Sequence, residues 1–274
     1  MKKLITRTVT GIVLVIVMLT AIIASPYSYA LLFLIILIGG VAEYNKLFKL
    51  SEVKPNQVLS YFIAVIVFTL SFLIAHGILE FTFLFGLFPL LLLVIAAELY
   101  RKKEKPVENI AVTIFSAVYI AIPLSLVNFL VFPEILSGNN YSPKLLIALF
   151  SIIWIYDSGA YLFGVSIGKH RLFERISPKK SWEGAIGGTL TAIVAAWFIS
   201  GFIPEIKTVH WIAISILTVI SSTFGDLTES MFKRHFGIKD SGNILPGHGG
   251  ILDRFDSLFF ATPVAVMYLK LFVE

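Results

Sequence analysis

The sequence predicts an all-α polytopic membrane protein with about nine transmembrane helices, a cytoplasmic N-terminus and a C-terminus outside. Three observations lead to this fold class. Of the 274 residues, 57% are hydrophobic and only 14% are charged, whereas a soluble domain needs a larger polar fraction to cover its surface. The apolar residues fall into long runs, and the basic residues between those runs gather on one side of the membrane.

Each predicted helix corresponds to one apolar run of roughly 20 residues, the length that crosses the hydrocarbon core of a bilayer. Proline residues at or near most of the breaks support these boundaries, because proline ends a helix or begins a new one. In chain order, the predicted spans are residues 8–25, 29–48, 58–76, 80–98, 108–132, 145–167, 184–203, 209–231 and 250–272.

The distribution of Lys and Arg predicts the orientation, since cytoplasmic loops carry an excess of both residues. With the N-terminus inside, all but three of the 22 Lys and Arg residues lie on the cytoplasmic side, and the exceptions are Lys144, Lys207 and Lys270. The two longest loops, 168–183 and 232–249, then both face the cytoplasm. We expect the polar chemistry of the protein there.

The sequence also excludes several kinds of chemistry. It contains no cysteine, so disulfides, a thiolate nucleophile and Cys-ligated metals are ruled out. There is no Walker pattern, so the protein is not a P-loop enzyme. A Ser/His/Asp hydrolase signature is likewise absent from the sequence.

Asp157 lies inside an apolar span, where an ionisable side chain is costly and usually faces the protein interior. On a helix, Asp157, Tyr161, Gly164 and Gly168 form one stripe, and the small residues would let a second helix approach closely. Two interpretations stay open: Asp157 lines a functional pocket, or it is a structural hydrogen-bonding group between helices.

Asp226 lies where the next-to-last span approaches the cytoplasm, on one helical face with Glu229, Ser230 and Lys233. The functional interpretation is an acid that points into a cavity shared with the last loop. The alternative is a helix end stabilised by pairs three and four residues apart.

Glu43 and Glu98 lie near the cytoplasmic ends of their spans, beside Lys46 and Arg101. An acid and a base three residues apart share a helix face. We therefore interpret both acids as members of interfacial ion pairs.

The first long loop carries Lys179 and Lys180 directly before Ser181, a favourable helix N-cap, and Glu183 suits the first turn of the helix. Two lysines at a helix N-terminus suit a ligand that bears phosphate. The alternative is ordinary cytoplasmic charge in contact with anionic lipid.

The second long loop contains a glycine-rich turn at residues 247–250, which frees the backbone to turn N–H groups toward an anion. Asp253 and Asp256 follow three residues apart, so they share a face at the start of the last helix. They could simply complement the helix dipole. Together with Asp226 and the phosphate-binding elements, however, these carboxylates indicate a Mg²⁺ site that substrate phosphates complete.

The segment from Ser230 to Asp256 resembles the signature of the phosphatidate cytidylyltransferase (CDP-diacylglycerol synthase) family. The matching positions are Ser230, Lys233, Arg234, Lys239, Asp240, Gly242, Leu245, Pro246, Gly247, His248, Gly249, Gly250, Asp253, Arg254 and Asp256. The segment SPKKSWEG at 177–184, with Asp157 and Tyr161, is similar to a second polar region of that family. On this basis we divide the chain into N-terminal transmembrane helices, 1–145, and a C-terminal catalytic region with two cytoplasmic polar loops, 146–274.

The resemblance implies a Mg²⁺-dependent nucleotidyltransferase of phospholipid biosynthesis. CTP and phosphatidic acid would give CDP-diacylglycerol and pyrophosphate, with the active site at the cytoplasmic face of a prokaryotic-type cell (inner) membrane. The expected partners are CTP, phosphatidic acid and the lipid bilayer, and no nucleic acid is expected. Glycine-rich helix faces would also allow a homodimer.

The resemblance also implies roles for the candidate residues. Asp226, Asp253 and Asp256 would hold Mg²⁺ and, with His248 and Lys239, form the catalytic group. The remaining candidates would bind the CTP phosphates or the lipid head group, or support the site: Lys179, Lys180, Lys233, Arg234, Asp240, Gly247, Gly249, Gly250, Arg254 and Asp157.

Two other functions are compatible with parts of the sequence. A CTP-dependent kinase of an isoprenoid alcohol or another lipid would share the membrane plan but release CDP. A cation transporter would use Asp157, Asp226 and Asp253 along a pathway. The transporter is disfavoured because a pathway needs polar groups deeper in the membrane and on its outer side.

Overall fold

The fold is almost entirely helical. A computed structural model describes residues 2–48, 51–138, 140–242 and 249–274, with side chains from residue 9 onward. Within these ranges, eight helical stretches are long and apolar enough to cross a membrane, and a shorter apolar helix covers Val9–Ala24. The prediction of an all-α polytopic membrane protein is thereby confirmed. The orientation of the termini and the division at residue 145 stay predictions.

The described part of the first half of the chain contains one long helix for each of its first four spans and a broken helix for the fifth. The long helices are α1 (Lys2–Ala24), α2 (Pro26–Leu47), α3 (Gln57–Ala75) and α4 (Leu87–Arg101), the last preceded by a 3₁₀ turn at Phe81–Gly86. The broken helix consists of α5 (Pro106–Ser116), a π-helical turn (Ala117–Ala121), α6 (Ile122–Leu126), α7 (Asn128–Val131) and α8 (Glu134–Ser137).

Local sequence explains where α2 begins and why the fifth span is broken. Ser25 accepts a hydrogen bond from the N–H of Ser28 at 3.0 Å, and Pro26 occupies the first helical position, where no N–H is needed. In the fifth span, Pro123 has no N–H to donate to the carbonyl four residues earlier. The wider π-helical turn ends two residues before this proline, and such turns accommodate local breaks in the hydrogen-bond ladder.

The second half contains the four helices that build the site. They are α9 (Lys144–Ile167), α10 (Trp182–Phe202), α11 (Thr208–His235) and α12 (Leu252–Phe272). Ser181 caps α10 by accepting a hydrogen bond from the N–H of Gly184 at 3.1 Å, as the sequence predicts.

A short β-hairpin occupies part of the first long loop, which the sequence analysis treats as irregular. Strands β1 (Arg171–Phe173) and β2 (Ser177–Ser181) are antiparallel, with Arg171 opposite Ser181 and Phe173 opposite Ser177. Strands this short and this polar show no alternation of apolar residues, which is why no pattern predicts them. The hairpin fixes the direction of Lys179 and Lys180 more firmly than a loop would.

Helices α9 and α10 are in backbone contact along their small residues. A Cβ atom added to Gly188 would lie 2.8 Å from the backbone oxygen of Tyr156, and one added to Gly184 would lie 2.7 Å from that of Ala160. Both distances are shorter than real contacts allow, so only glycine permits this approach. The predicted close packing at Gly164 is confirmed, since its Cα lies against Gly184.

Helix α12 packs on α11 and also reaches the first half of the molecule. At the start of α12, Ile251 and Leu252 contact Gly39 and Gly40 of α2, and all four lie in or beside one continuous buried core. The glycines leave room for these apolar side chains. The acids at the start of α12 are therefore held between α11 on one side and α2 on the other.

Candidate active site

A cavity of about 940 Å³ lies between α1, α9, the hairpin, α10, α11 and α12. One wall is apolar, and α1 and α9 supply it: Leu14, Val15, Met18, Phe150, Ile153 and Trp154. A second group of lining residues, the charged wall, brings together most of the candidate residues: Asp157, Lys179, Lys180, Asp226, Lys233, Asp240, Asp253, Arg254 and Asp256. The cavity thus joins an apolar surface directly to a charged one.

The structure does not bring every candidate into the cavity wall. Arg234 and Lys239 are exposed side chains outside the lining. Gly249 and Gly250 lie behind the wall, against the carboxylate of Asp253. Gly247 and His248 lie outside the described residues, so the predictions for them stay predictions.

Lys180 joins the hairpin to the membrane helices. Its Nζ forms an ion pair with Oδ2 of Asp226 on α11, and both side chains are only partly exposed. The other oxygen of Asp226 accepts a hydrogen bond of 3.3 Å from the hydroxyl of Ser230, one helical turn later. The loop that the sequence predicts to bind phosphate is therefore attached to one of the three predicted metal ligands.

The hairpin is itself fixed at the start of α10 by Glu183. The Glu183 carboxylate accepts hydrogen bonds from the backbone N–H groups of Lys169, at 3.1 Å, and His170, at 3.2 Å. It also contacts Nδ1 of His170 at 2.6 Å. These bonds hold the entry of the hairpin against its exit, so the strand β2 that carries Lys179 and Lys180 is held at both ends of the hairpin.

Lys233 lies between two carboxylates. Its Nζ is 2.7 Å from Oδ1 of Asp253 on α12 and forms a second ion pair with Glu229, one turn earlier on α11. The Glu229 side chain is only 3% exposed. A buried carboxylate is tolerated when an opposite charge accompanies it, so this lysine neutralises a costly buried group.

Asp253 uses both of its carboxylate oxygens. Oδ1 contacts Lys233, and Oδ2 accepts hydrogen bonds from the N–H of Ser241 at 3.0 Å, the hydroxyl of Ser241 at 2.9 Å and the N–H of Gly250 at 2.8 Å. Gly249 has a φ of +84°, and a Cβ there would meet Oδ2 at 2.7 Å, so glycine is required at this position. Asp253 thus organises the turn before α12.

Asp256 lies where the backbones of α11 and α12 are in contact. A Cβ added to Gly225 would meet the backbone carbonyl of Asp256, so the two helices touch there. Asp226, the next residue on α11, lines the same cavity and is close enough to Asp256 for the two carboxylates to interact electrostatically. The Asp256 side chain accepts a hydrogen bond of 2.6 Å from the N–H of Ser257 through Oδ1.

The donor chemistry of this pair fits Mg²⁺. Among the described residues, no three His, Cys, Asp or Glu side chains lie close enough to hold a metal ion by themselves. Mg²⁺, however, is usually held by one or two carboxylates, with water and substrate phosphates completing its shell. Asp226 and Asp256 are two hard oxygen donors on adjacent helices, in a wall that also carries lysines.

One of the two acids expected to form interfacial ion pairs has different partners in the structure. Glu98 does form the expected ion pair, at 2.6 Å from Arg101. The same prediction is wrong for Glu43, which is 0% exposed and accepts hydrogen bonds from Leu252 and Ser241 instead. No local pattern indicates this contact, because it joins segments about two hundred residues apart.

Comparison with known proteins identifies the family. A model described as the cytidylyltransferase family matches residues 5–272. The chain belongs to the cytidylyltransferase family. The match extends over both walls of the cavity, from α1 to α12.

Several curated relatives of this cytidylyltransferase carry a more specific name. A phosphatidate cytidylyltransferase of Haemophilus influenzae is 48% identical over 124 residues, 43% of this chain and 43% of the relative. One of Staphylococcus saprophyticus is 49% identical over 118 residues, 42% and 45% of the two chains. One of Staphylococcus epidermidis is 40% identical over 183 residues, 65% and 66% of the two chains. The chain thus aligns with less than half the length of the first two relatives.

Proposed function

We propose that this cytidylyltransferase transfers CMP from CTP to phosphatidic acid, giving CDP-diacylglycerol and pyrophosphate. One observation carries the proposal: a single cavity joins a wall of acids and lysines to an apolar wall from α1 and α9. A lipid phosphate keeps its acyl chains in an apolar environment while its head group meets a soluble triphosphate. The names of the relatives, each a phosphatidate cytidylyltransferase, support the same substrates.

In the proposed reaction, an oxygen of the lipid phosphate attacks the α-phosphorus of CTP. The bond from the α-phosphorus to the bridging oxygen breaks, and pyrophosphate leaves with that oxygen and its electron pair. The nucleophile is already an anion, so no strong base is needed. The protein's tasks are to align the two phosphates and to neutralise crowded negative charge.

Lys180 and Lys233 suit the second task. Without substrate they are paired with Asp226 and with Asp253 and Glu229. Phosphate oxygens entering the cavity would replace some of these carboxylate contacts. The pairs therefore keep the lysines in place before the substrate arrives.

Asp226 and Asp256 are the acids that would hold Mg²⁺, with Asp253 as the third predicted ligand. Bound Mg²⁺ would neutralise charge on the triphosphate and orient it for in-line attack. The charge distribution of the loops supports a site at the cytoplasmic face. A homodimer stays part of the proposal, although the glycine faces of α9 and α10 are already occupied by each other.

The test uses purified protein with phosphatidic acid, Mg²⁺ and CTP labelled in the cytosine. We expect label in a CDP-lipid, and a loss of about 100-fold or more in rate for Asp256→Asn, similar to the loss when one preorganised group that stabilises the transition state is removed. Glu205→Gln, at an exposed acid outside the cavity, should keep the wild-type rate. Labelled CDP in the aqueous phase with a phosphorylated lipid would show a kinase instead.

A further inference from the structure

Glu43 on α2 is a fully buried acid that does not line the catalytic cavity. Its Oε2 accepts a hydrogen bond of 2.9 Å from the N–H of Leu252, the first residue of α12. It also lies 3.4 Å from the hydroxyl of Ser241. Burying a carboxylate is costly, so the presence of this buried acid calls for an explanation.

The contact with Leu252 supplies a hydrogen-bond acceptor at the start of α12. The first N–H groups of a helix have no partner inside it, and the residue before α12, Ile251, has no side chain that can cap it. Glu43 supplies the missing acceptor from a different helix. Its carboxylate oxygen also lies at the positive end of the helix dipole, where an acceptor is favoured.

The contact with Ser241 connects Glu43 to Asp253. The hydroxyl oxygen Oγ of Ser241 lies between two carboxylates, 2.9 Å from Oδ2 of Asp253 and 3.4 Å from Oε2 of Glu43. Asp253 in turn holds Lys233 at 2.7 Å. A chain of contacts therefore runs from Glu43 through Ser241 and Asp253 to a lysine in the cavity wall.

The backbone around Glu43 is shaped to admit its carboxylate. A Cβ added to Gly242 or to Gly250 would collide with the Glu43 side chain. Gly242 ends one described segment and Gly250 lies near the start of the next, so both segments approach the same carboxylate. The two glycines therefore leave room for the Glu43 carboxylate itself, and not only for the apolar side chains of α2.

We propose that Glu43 is a positioning residue for the nucleotide: it fixes Ser241 and the first turn of α12, and through Asp253 it holds Lys233 where the CTP phosphates bind. The inference rests on the proposed function for the identity of CTP. Glu43 itself touches no substrate. Its loss should therefore weaken CTP binding while leaving the lipid-binding wall unchanged.

The experiment compares Glu43→Gln and Ser241→Ala with wild type in the same detergent. The KM for CTP should rise about fivefold for Glu43→Gln, because a neutral oxygen accepts more weakly than a charged one. Ser241→Ala should raise it by about threefold through loss of one hydrogen bond. The KM for phosphatidic acid should stay within about twofold of wild type in both variants.

Glu98→Gln is the matched control, because Glu98 is also a buried acid and pairs with Arg101 away from the cavity. It should leave the KM for CTP unchanged even if it lowers the melting temperature. A smaller amount of folded enzyme lowers the maximal rate but not KM, so KM separates positioning from simple stability. If Glu43→Gln does not fold, Ser241→Ala decides.

A second readout does not depend on turnover: the rise in melting temperature that CTP produces in wild type should shrink in Glu43→Gln. An unchanged KM for CTP and an unchanged thermal shift in both variants would overturn the inference. Wild-type protein that makes no CDP-lipid would instead reject the proposed function. The thermal shift would still test Glu43 in that case.

Discussion

At the scale of single residues, Lys233 and Arg234 are neighbours in the sequence with different surroundings. Lys233 lines the cavity and contacts Asp253 and Glu229, whereas Arg234 is exposed and lies outside the lining. The sequence predicts phosphate binding for both. The geometry favours only Lys233, because a charge acts on substrate phosphates through short, partly desolvated contacts.

We therefore predict different outcomes for two matched substitutions. Lys233→Met should lower kcat/KM by about 100-fold or more, since it removes a charged contact to phosphate. It should also lower the melting temperature, because it leaves the buried Glu229 unpaired. Arg234→Met should stay within a few-fold of wild type in both measurements. Equal losses in the two variants would show that Arg234 reaches the substrate.

At the scale of helices, the contact between α11 and α12 fixes the distance between the two acids proposed to hold Mg²⁺. Gly225 lies against the carbonyl of Asp256, and Asp226 is the next residue. A side chain at position 225 must push the helices apart. Alanine favours a helix more than glycine does, so the change disturbs packing and not helix formation.

Gly225→Ala should accordingly reduce the rate at least about tenfold, because small displacements of catalytic groups are costly. The control is Gly201→Ala on α10, where an added Cβ meets nothing within 4 Å. That variant should retain wild-type activity. Full activity of Gly225→Ala would mean that the spacing of Asp226 and Asp256 is not critical. The measurement is CDP-lipid formation at saturating substrate concentrations.

The helices differ in how well the sequence predicts them. Apolar runs of about 20 residues predict the spans, because a bilayer imposes one length on every crossing. The hairpin at 171–181 escapes prediction because its strands are short and polar. The Glu43 contacts escape it for another reason: Leu252 and Ser241 are 209 and 198 residues away, and no local periodicity reports such distances. The clustering of Asp226, Lys233 and Asp253 was predictable because one dense motif carries the last two and adjoins the first.

At the scale of the whole molecule, the apolar wall of the cavity combines residues from both predicted regions of the chain, 1–145 and 146–274. Helix α1 contributes Leu14, Val15 and Met18, and α9 contributes Phe150, Ile153 and Trp154. The sequence of the motif region alone does not indicate a role for α1. The position of this wall next to the charged wall suits the acyl chains of a lipid substrate.

Val15→Trp should reduce the space in the cavity beside this wall. The KM for long-chain phosphatidic acid should then rise by about fivefold or more, because overpacking an apolar site is unfavourable. A short-chain, water-soluble phosphatidic acid should be affected less. Val13→Trp is the control, since Val13 is 52% exposed on the other face of α1. Equal effects of Val15→Trp on both substrates would place the acyl chains elsewhere.

The link between Glu43 and Leu252 also has a consequence for biogenesis. Helix α2 leaves the ribosome long before α12, since 209 residues separate the two partners. Until the last helix is inserted, the Glu43 carboxylate has no Leu252 N–H to bind. It is then stable only if it stays in contact with interfacial water. Docking of α12 is then the step that removes this acid from water.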